Sequence, residues 1–245
     1  MDTYYFCTEY TGLTTTIRIQ HIFFDLDRTL WDFESNSRNT LAELYSEFKL
    51  QEIGFSSFEQ FHTIYKEKNE LCWALYRENR LSKESMRSKR FKMSLQEAGH
   101  TGNTLASKLG EEYVLRSPRQ TLLMDGSREI LEYLAPRYQM HIITNGFEEV
   151  QHIKLKACHI DHYFGQVITS ERAGSKKPHP GIFRFAFQRT RALPAQSVMV
   201  GDDYTIDVLG AERAGMTGIH YAPEQNAGTE ATLAVRHLND LKRFL

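Results

Sequence analysis

Ile22-Phe23-Phe24-Asp25-Leu26-Asp27-Arg28-Thr29-Leu30 is the stretch on which the reading of this chain turns. Ile17 to Phe24 reads as a strand whose end is continuously apolar, the pattern of a strand buried on both faces. Two carboxylates one residue apart follow it at once. An acidic pair after an apolar run is by itself as compatible with a turn or a helix cap as with chemistry. Its weight comes from three later segments in fixed order: Ile142-Ile143-Thr144-Asn145, Lys177-Pro178, and Val198-Met199-Val200-Gly201-Asp202-Asp203 with Asp207 beyond.

Met140 to Ile143, Val167-Ile168 and Val198 to Val200 share the apolar character of the first run. Helical patterns separate them, over Ser127 to Leu134 and Gly181 to Arg191. Alternating strands and helices predict a doubly wound, Rossmann-like α/β core with a parallel sheet covered on both faces. Ligands of such sheets bind beyond the carboxyl ends of the strands, so Asp25, Thr144 and Asp202 are expected to converge. Asn36 to Arg116 has a different character, without a convincing strand. Leu41, Leu44, Tyr45 and Phe48 have helical spacing, Ser56 to Glu59 reads as a capping box behind Phe55, and Phe91, Leu95 and Ala98 mark another helix. The expected organisation is a core of residues 1–35 and 117–245 with an all-helical insert over 36–116. Residues 1–16 admit an edge strand, a leader or an artefact of start-site choice.

The 245 residues carry a formal net charge of -1, which argues against a surface built to coat a nucleic acid polymer or an anionic membrane. No apolar run approaches the roughly 18 residues a membrane span needs. The three cysteines, Cys7, Cys72 and Cys158, form no C-x-x-C pair, which suggests a reducing, cytoplasmic setting. G-x-x-x-x-G-K-[ST] and H-E-x-x-H are both absent. A small anionic substrate stays open, with the protein a monomer or weak homodimer.

Phosphate esters resist attack because they are anionic, so their cleavage needs charge neutralisation, in-line placement and a proton for the leaving group. Asp25 is the candidate nucleophile, forming an aspartyl-phosphate, and Asp27 the candidate general acid and base. Adjacent carboxylates repel without a cation; Mg²⁺ suits oxygen ligands, with Asp25, Asp27 and Asp202 as the candidate set. Thr144 and the Asn145 main-chain N–H are candidate donors to phosphate oxygens, and Lys177 supplies a point charge to phosphate and nucleophile. Asp207 is placed to bind a metal-bound water or orient Lys177, whereas Asp203 reads as a helix-start residue. His159 and His162 lack a surrounding ligand cluster and read as structural.

The D-x-D-x-T, Thr, Lys and G-D-x-x-x-x-D series resembles the haloacid dehalogenase (HAD) superfamily from Ile17 to the C-terminus, with the helical insert in the place of its mobile C1 cap. An acid at Asp27 resembles the phosphatases of that superfamily rather than its dehalogenases, and Arg28 departs from the commoner Gly, Asp or Glu. Thr29 to Phe33, Asn69, Trp73, Arg90-Phe91 and Thr144-Asn145-Gly146 look like the pyrimidine 5′-nucleotidase branch. That resemblance implies hydrolysis of nucleoside 5′-monophosphates, with other small phosphomonoesters, such as sugar phosphates, or a phosphomutase reaction as alternatives. It also implies that Trp31 and Phe33 pack near the leaving group, and that Trp73, Arg77 and Arg90 face the cleft, unless they simply make core. A phospho-accepting signalling module would use a similar acidic pair, Thr and Lys, but the motif order and the long insert disfavour it.

Overall fold

The computed structural model describes residues 5–6, 17–223 and 233–245. Apart from Tyr5–Phe6, the readings offered for residues 1–16 lie outside the described residues. The chain divides into two compact units, residues 1–32 with 122–245, and residues 33–121. The insert therefore runs from 33 to 121 rather than from 36 to 116.

The first unit is built on a six-stranded parallel sheet. Across it the strands run Phe164–Thr169, Gln139–Thr144, His21–Phe24, Ser197–Gly201, Thr217–Tyr221 and Ala234–Val235. His21–Phe24 is central, and the chain winds away from it in both directions, which makes the gap beyond its carboxyl end the topological switch point. All four of its residues are buried, as the apolar run requires. The expected single strand from Ile17 to Phe24 is two strands. Ile17–Arg18 turns away to pair antiparallel with Tyr5–Phe6. At the break, Gln20 donates to the Gln196 carbonyl and accepts from the Gln139 N–H, each at 2.9 Å. Phe23, Ile143, Ile168, Ile182, Phe183 and Met199 belong to one apolar cluster of this unit.

Two histidines are buried in this sheet. His21 Nδ1 and His141 Nε2 lie 3.2 Å apart, with the rings stacked at 5.5 Å between centroids. Burial, reinforced by His21, lowers the His141 pKa to about 4, and burial lowers that of His21. The unfolded chain therefore binds more protons than the folded one between the ordinary value of 6.5 and about 4, so stability falls as pH falls through that window. His141 alone accounts for roughly 3 kcal/mol at most. Urea unfolding of wild type and His141→Gln at pH 7.5 and pH 4.5 checks this. The wild type should lose more stability than the variant on acidification; parallel losses would contradict it.

In the second unit the helices are Phe33–Glu47, Phe58–Arg77, Lys83–Glu97 and Asn103–Arg116, with 3₁₀ turns at Leu50–Ile53 and Ser117–Arg119. Leu41, Leu44, Phe61, Tyr65, Phe91 and Tyr113 are among the side chains of its core. The cap of the second helix falls one residue later than the expected Ser56 to Glu59 box. Ser57 is the N-cap, accepting from the Gln60 N–H at 3.2 Å, while the Gln60 side chain reaches back to the Ser56 N–H at 2.7 Å. Gln60 prevails because its side-chain oxygen accepts from both the main chain and the hydroxyl of Ser56. Arg90 is buried inside this unit, 2.9 Å from Asn69 Oδ1 and over the Tyr113 ring at 4.5 Å. Its charge serves the interior of the insert. Trp73, half-buried, meets Tyr76 edge-on at 5.7 Å. Among the described residues no helix is long and apolar enough to cross a membrane.

Candidate active site

Asp25 sits just past the central strand, and its N–H continues the sheet by donating to the Val200 carbonyl at 2.9 Å. This fixes the Asp25 backbone against the neighbouring strand that ends at Gly201, directly before Asp202. The side chain of Asp25 is buried, and its Oδ1 lies 2.5 Å from the Lys177 ammonium. Lys177, itself buried, also forms an ion pair with Asp207 Oδ1 at 2.6 Å. One cation thus joins two carboxylates brought from distant parts of the chain.

Asn145 holds that lysine in place through its main chain. The Asn145 amide donates to the Lys177 carbonyl at 3.0 Å and accepts from the Lys177 N–H at 2.8 Å. The Lys177–Pro178 peptide is cis. Thr144, at the end of its strand, accepts from the Gly146 N–H at 3.0 Å, which leaves the hydroxyl proton for another acceptor. Asp202 Oδ1 accepts from the Thr29 hydroxyl at 3.2 Å, and its main-chain carbonyl accepts from His220 Nε2 at 2.9 Å. Asp203 is the N-cap of a π-helical turn, Tyr204–Val208, and accepts from the Ile206 N–H. That turn lays the Asp207 carboxylate over Gly201, where a Cβ would come within 2.3 Å of Asp207 Oδ2. Only glycine leaves room for this approach. Arg28 has φ 68°, in the left-handed region that glycine occupies without strain, so the departure noted in the sequence carries a backbone cost.

The ligand atoms of Asp25, Asp202 and Asp207 lie within 4.8 Å of one another. Burial is the main cause that raises Asp25 well above the usual carboxylate range; Lys177 opposes it, and Asp207 and Asp202 add to it. Burial, then Asp207, raises the Asp202 pKa to about 7. Burial likewise raises Asp207. For Lys177, burial pulls the pKa down, but Asp207 and Asp25 outweigh it and keep the ammonium charged. Three carboxylates meet one ammonium, with Arg28 acting on Asp202, so the cluster is acidic and its donors are hard oxygens. The cluster fits a divalent, oxygen-preferring cation.

Of the residues singled out from sequence, Asp25, Asn145 and Asp207 all bond to Lys177, and Asp202 stands beside the two aspartates. Asp27 is different. Its carboxylate turns to the ammonium of Lys154, a buried side chain to which the sequence drew no attention. Trp31 is fully buried under that lysine, so it belongs to the interior of the core unit. Thr29 was likewise missed as a partner of Asp202. The available signal for Lys154 was a helical stripe of Gln151, Lys154, Leu155 and Cys158 that includes two polar residues and is buried throughout.

A doubly wound parallel sheet with a carboxylate–lysine cluster at its switch point defines a Rossmann-like α/β protein with a site for an anionic group. Residues 19–215 match the haloacid dehalogenase-like hydrolase family, and the chain belongs to that family. Pyrimidine 5′-nucleotidase PynA of Streptococcus pneumoniae is 27% identical over 90% of this chain and 92% of its own. Pyrimidine 5′-nucleotidase YjjG of Escherichia coli is 28% identical, over 91% and 96%. The crystal structure of the HAD-hydrolase YfnB from Bacillus subtilis, bound to magnesium, superposes with a TM-score of 0.82. That match covers 92% of this chain and 98% of YfnB, at 24% identity.

Proposed function

We propose that this protein is a Mg²⁺-dependent phosphomonoesterase that works through an aspartyl-phosphate, with nucleoside 5′-monophosphates, pyrimidines foremost, as its substrates. The observation that carries the reaction is the buried Asp25, paired with Lys177 beside Asp202 and Asp207 at the switch point of the sheet. The substrate class rests on the likeness to the two nucleotidases.

In this reading Asp25 attacks phosphorus in line with the ester oxygen, and the P–O ester bond breaks as the Asp25–phosphorus bond forms. Asp27 gives the departing alkoxide a proton, then takes one from the water that releases phosphate from Asp25. Lys177 keeps the nucleophile oriented and neutralises charge on the phosphoryl oxygens. Thr144 turns its hydroxyl proton to one of those oxygens, joined by the Asn145 main-chain N–H, while the Asn145 side chain holds Lys177. A bound Mg²⁺ would offset the negative charge shared by phosphate and carboxylates. Asp25 and Asp202 would hold it through their carboxylates, whereas the Asp27 side chain is engaged by Lys154. Asp207 orients Lys177, and residues 33–121 form the cap that selects substrate.

The test is phosphate release from pyrimidine and purine 5′-monophosphates, sugar phosphates and an activated aryl phosphate, with Mg²⁺ and after chelation. Pyrimidine nucleotides should be hydrolysed preferentially, with activity lost to chelator and restored by Mg²⁺. Mg²⁺ at a hundredfold excess over its Kd should also stabilise the fold by about 2.7 kcal/mol, seen as a higher Tm. Preference for sugar phosphates would discard the nucleotide assignment and keep the reaction. Transfer without free phosphate would indicate a mutase, and a persistent adduct a signalling module.

A further inference from the structure

Lys154 lies on the helix Glu148–Ala157, in the first helix after the Thr144 loop, and is 4% exposed. A lysine at that depth is costly unless its charge is matched. It has two partners. Its ammonium bonds Asp27 Oδ1 and stands over the Trp31 indole, 4.1 Å from the ring centroid. The loop that carries Asp27 supplies that indole. The main-chain N–H of Trp31 donates to the Leu26 carbonyl and the Trp31 carbonyl accepts from the Arg28 N–H, both at 2.8 Å, so the loop folds back on itself.

We infer that Lys154 is a positioning residue for the acid–base carboxyl of Asp27, an inference that rests on the phosphomonoesterase reading. Lys154 fixes one oxygen of Asp27 and leaves the second to exchange a proton with the ester oxygen. An unanchored aspartate two residues from Asp25 would rotate freely and be driven away from that like charge. The lysine removes this freedom, and the indole floor restricts the lysine in turn.

A lysine that merely satisfied a buried charge would not discriminate between substrates; a lysine acting through the general acid would. Alkyl phosphates depart as poor leaving groups and need the proton, whereas 4-nitrophenyl phosphate departs as a stabilised phenolate and hardly needs it. The quantity to measure is kcat/KM, which runs only to formation of the aspartyl-phosphate and excludes the hydrolytic step common to both esters. Lys154→Met should lower kcat/KM for a nucleoside 5′-monophosphate by about 30- to 100-fold and for 4-nitrophenyl phosphate by less than about threefold. Lys154→Gln keeps a donor for Asp27 and should show the same selectivity with a smaller loss. It carries the test if Lys154→Met does not fold. In an Asp27→Asn background, which removes the acid, Lys154→Met should cause no further loss on the nucleotide. Equal losses on the two esters, or an additional loss in the Asp27→Asn background, would overturn the inference while leaving the reaction standing. If wild-type protein cleaves neither ester, the reading beneath the inference fails and takes it down too.

Discussion

Asp25→Asn is expected to lower phosphate release by at least about 10⁴-fold and to leave the protein folded. The amide cannot form the acyl-phosphate, and Asp25 is the carboxylate that the end of the central strand places beside Lys177. The fold should survive since Lys177 keeps Asp207 as a partner. Stability should even move the other way in metal-free protein. A carboxyl raised above its ordinary 3.8 contributes stability below that value and loses it as pH rises through the folded value. At neutral pH the burial of the Asp25 carboxyl is therefore a cost that asparagine removes. Without divalent cation Asp25→Asn should melt at or above the wild type; with Mg²⁺ the order should reverse, because the wild type gains more from the ion. Calorimetry with and without Mg²⁺, alongside a phosphate assay on pure protein, measures both halves. Full activity of the variant would end the mechanism.

Lys177→Met should be damaging in both respects. Its ammonium contacts Asp25 at 2.5 Å and Asp207 at 2.6 Å, so its removal strands two buried carboxylates facing one another. Breaking a buried pair from one side costs about 3–5 kcal/mol, and loss of the charge facing the phosphoryl group should lower kcat by about 10²- to 10³-fold. The lysine is held above its ordinary 10.5 by Asp207 and Asp25, against the effect of burial. Its contribution is therefore present in full below pH 10.5 and is lost only as pH rises through the folded value. Acid should nevertheless relieve the variant, because the stranded carboxylates take up protons. Urea unfolding at pH 7.5 and pH 5.5 should show the deficit of Lys177→Met shrinking at the lower pH. A deficit below about 1 kcal/mol at pH 7.5 would mean that the lysine does not hold this cluster together.

The parts of the fold that could be read from residues are those governed by local pattern. Continuous apolar runs announce strands buried on both faces, and Ser127–Leu134 folds over the span its periodicity indicated. The strand at Ile17 was misjudged because its pattern does not say where pairing changes partner; the antiparallel partner lies eleven or more residues upstream at Tyr5–Phe6. Ser56 and Ser57 both suit an N-cap, and the choice is made by where Gln60 finds its acceptor geometry. Arg90 looked available for ligand only because periodicity cannot distinguish a polar residue facing a cleft from one enclosed with Asn69 and aromatic rings.

By itself the sequence determined the class of core, the presence of a helical insert and the strand-end positions of Asp25, Thr144 and Asp202. These follow from strand order and from motifs that sit beside strand ends, which are local properties of the chain. Tertiary structure decided which of those residues touch. Asp27 and Lys154 are 127 positions apart, and Lys177 and Asp25 are 152 apart. The Asn145 side-chain amide, to which the sequence assigned no role, is bound to the main chain of Lys177. Contacts of this kind depend on sheet order, on the fold-back of the loop at Trp31 and on the desolvation of charges, none of which is encoded in any short stretch of sequence.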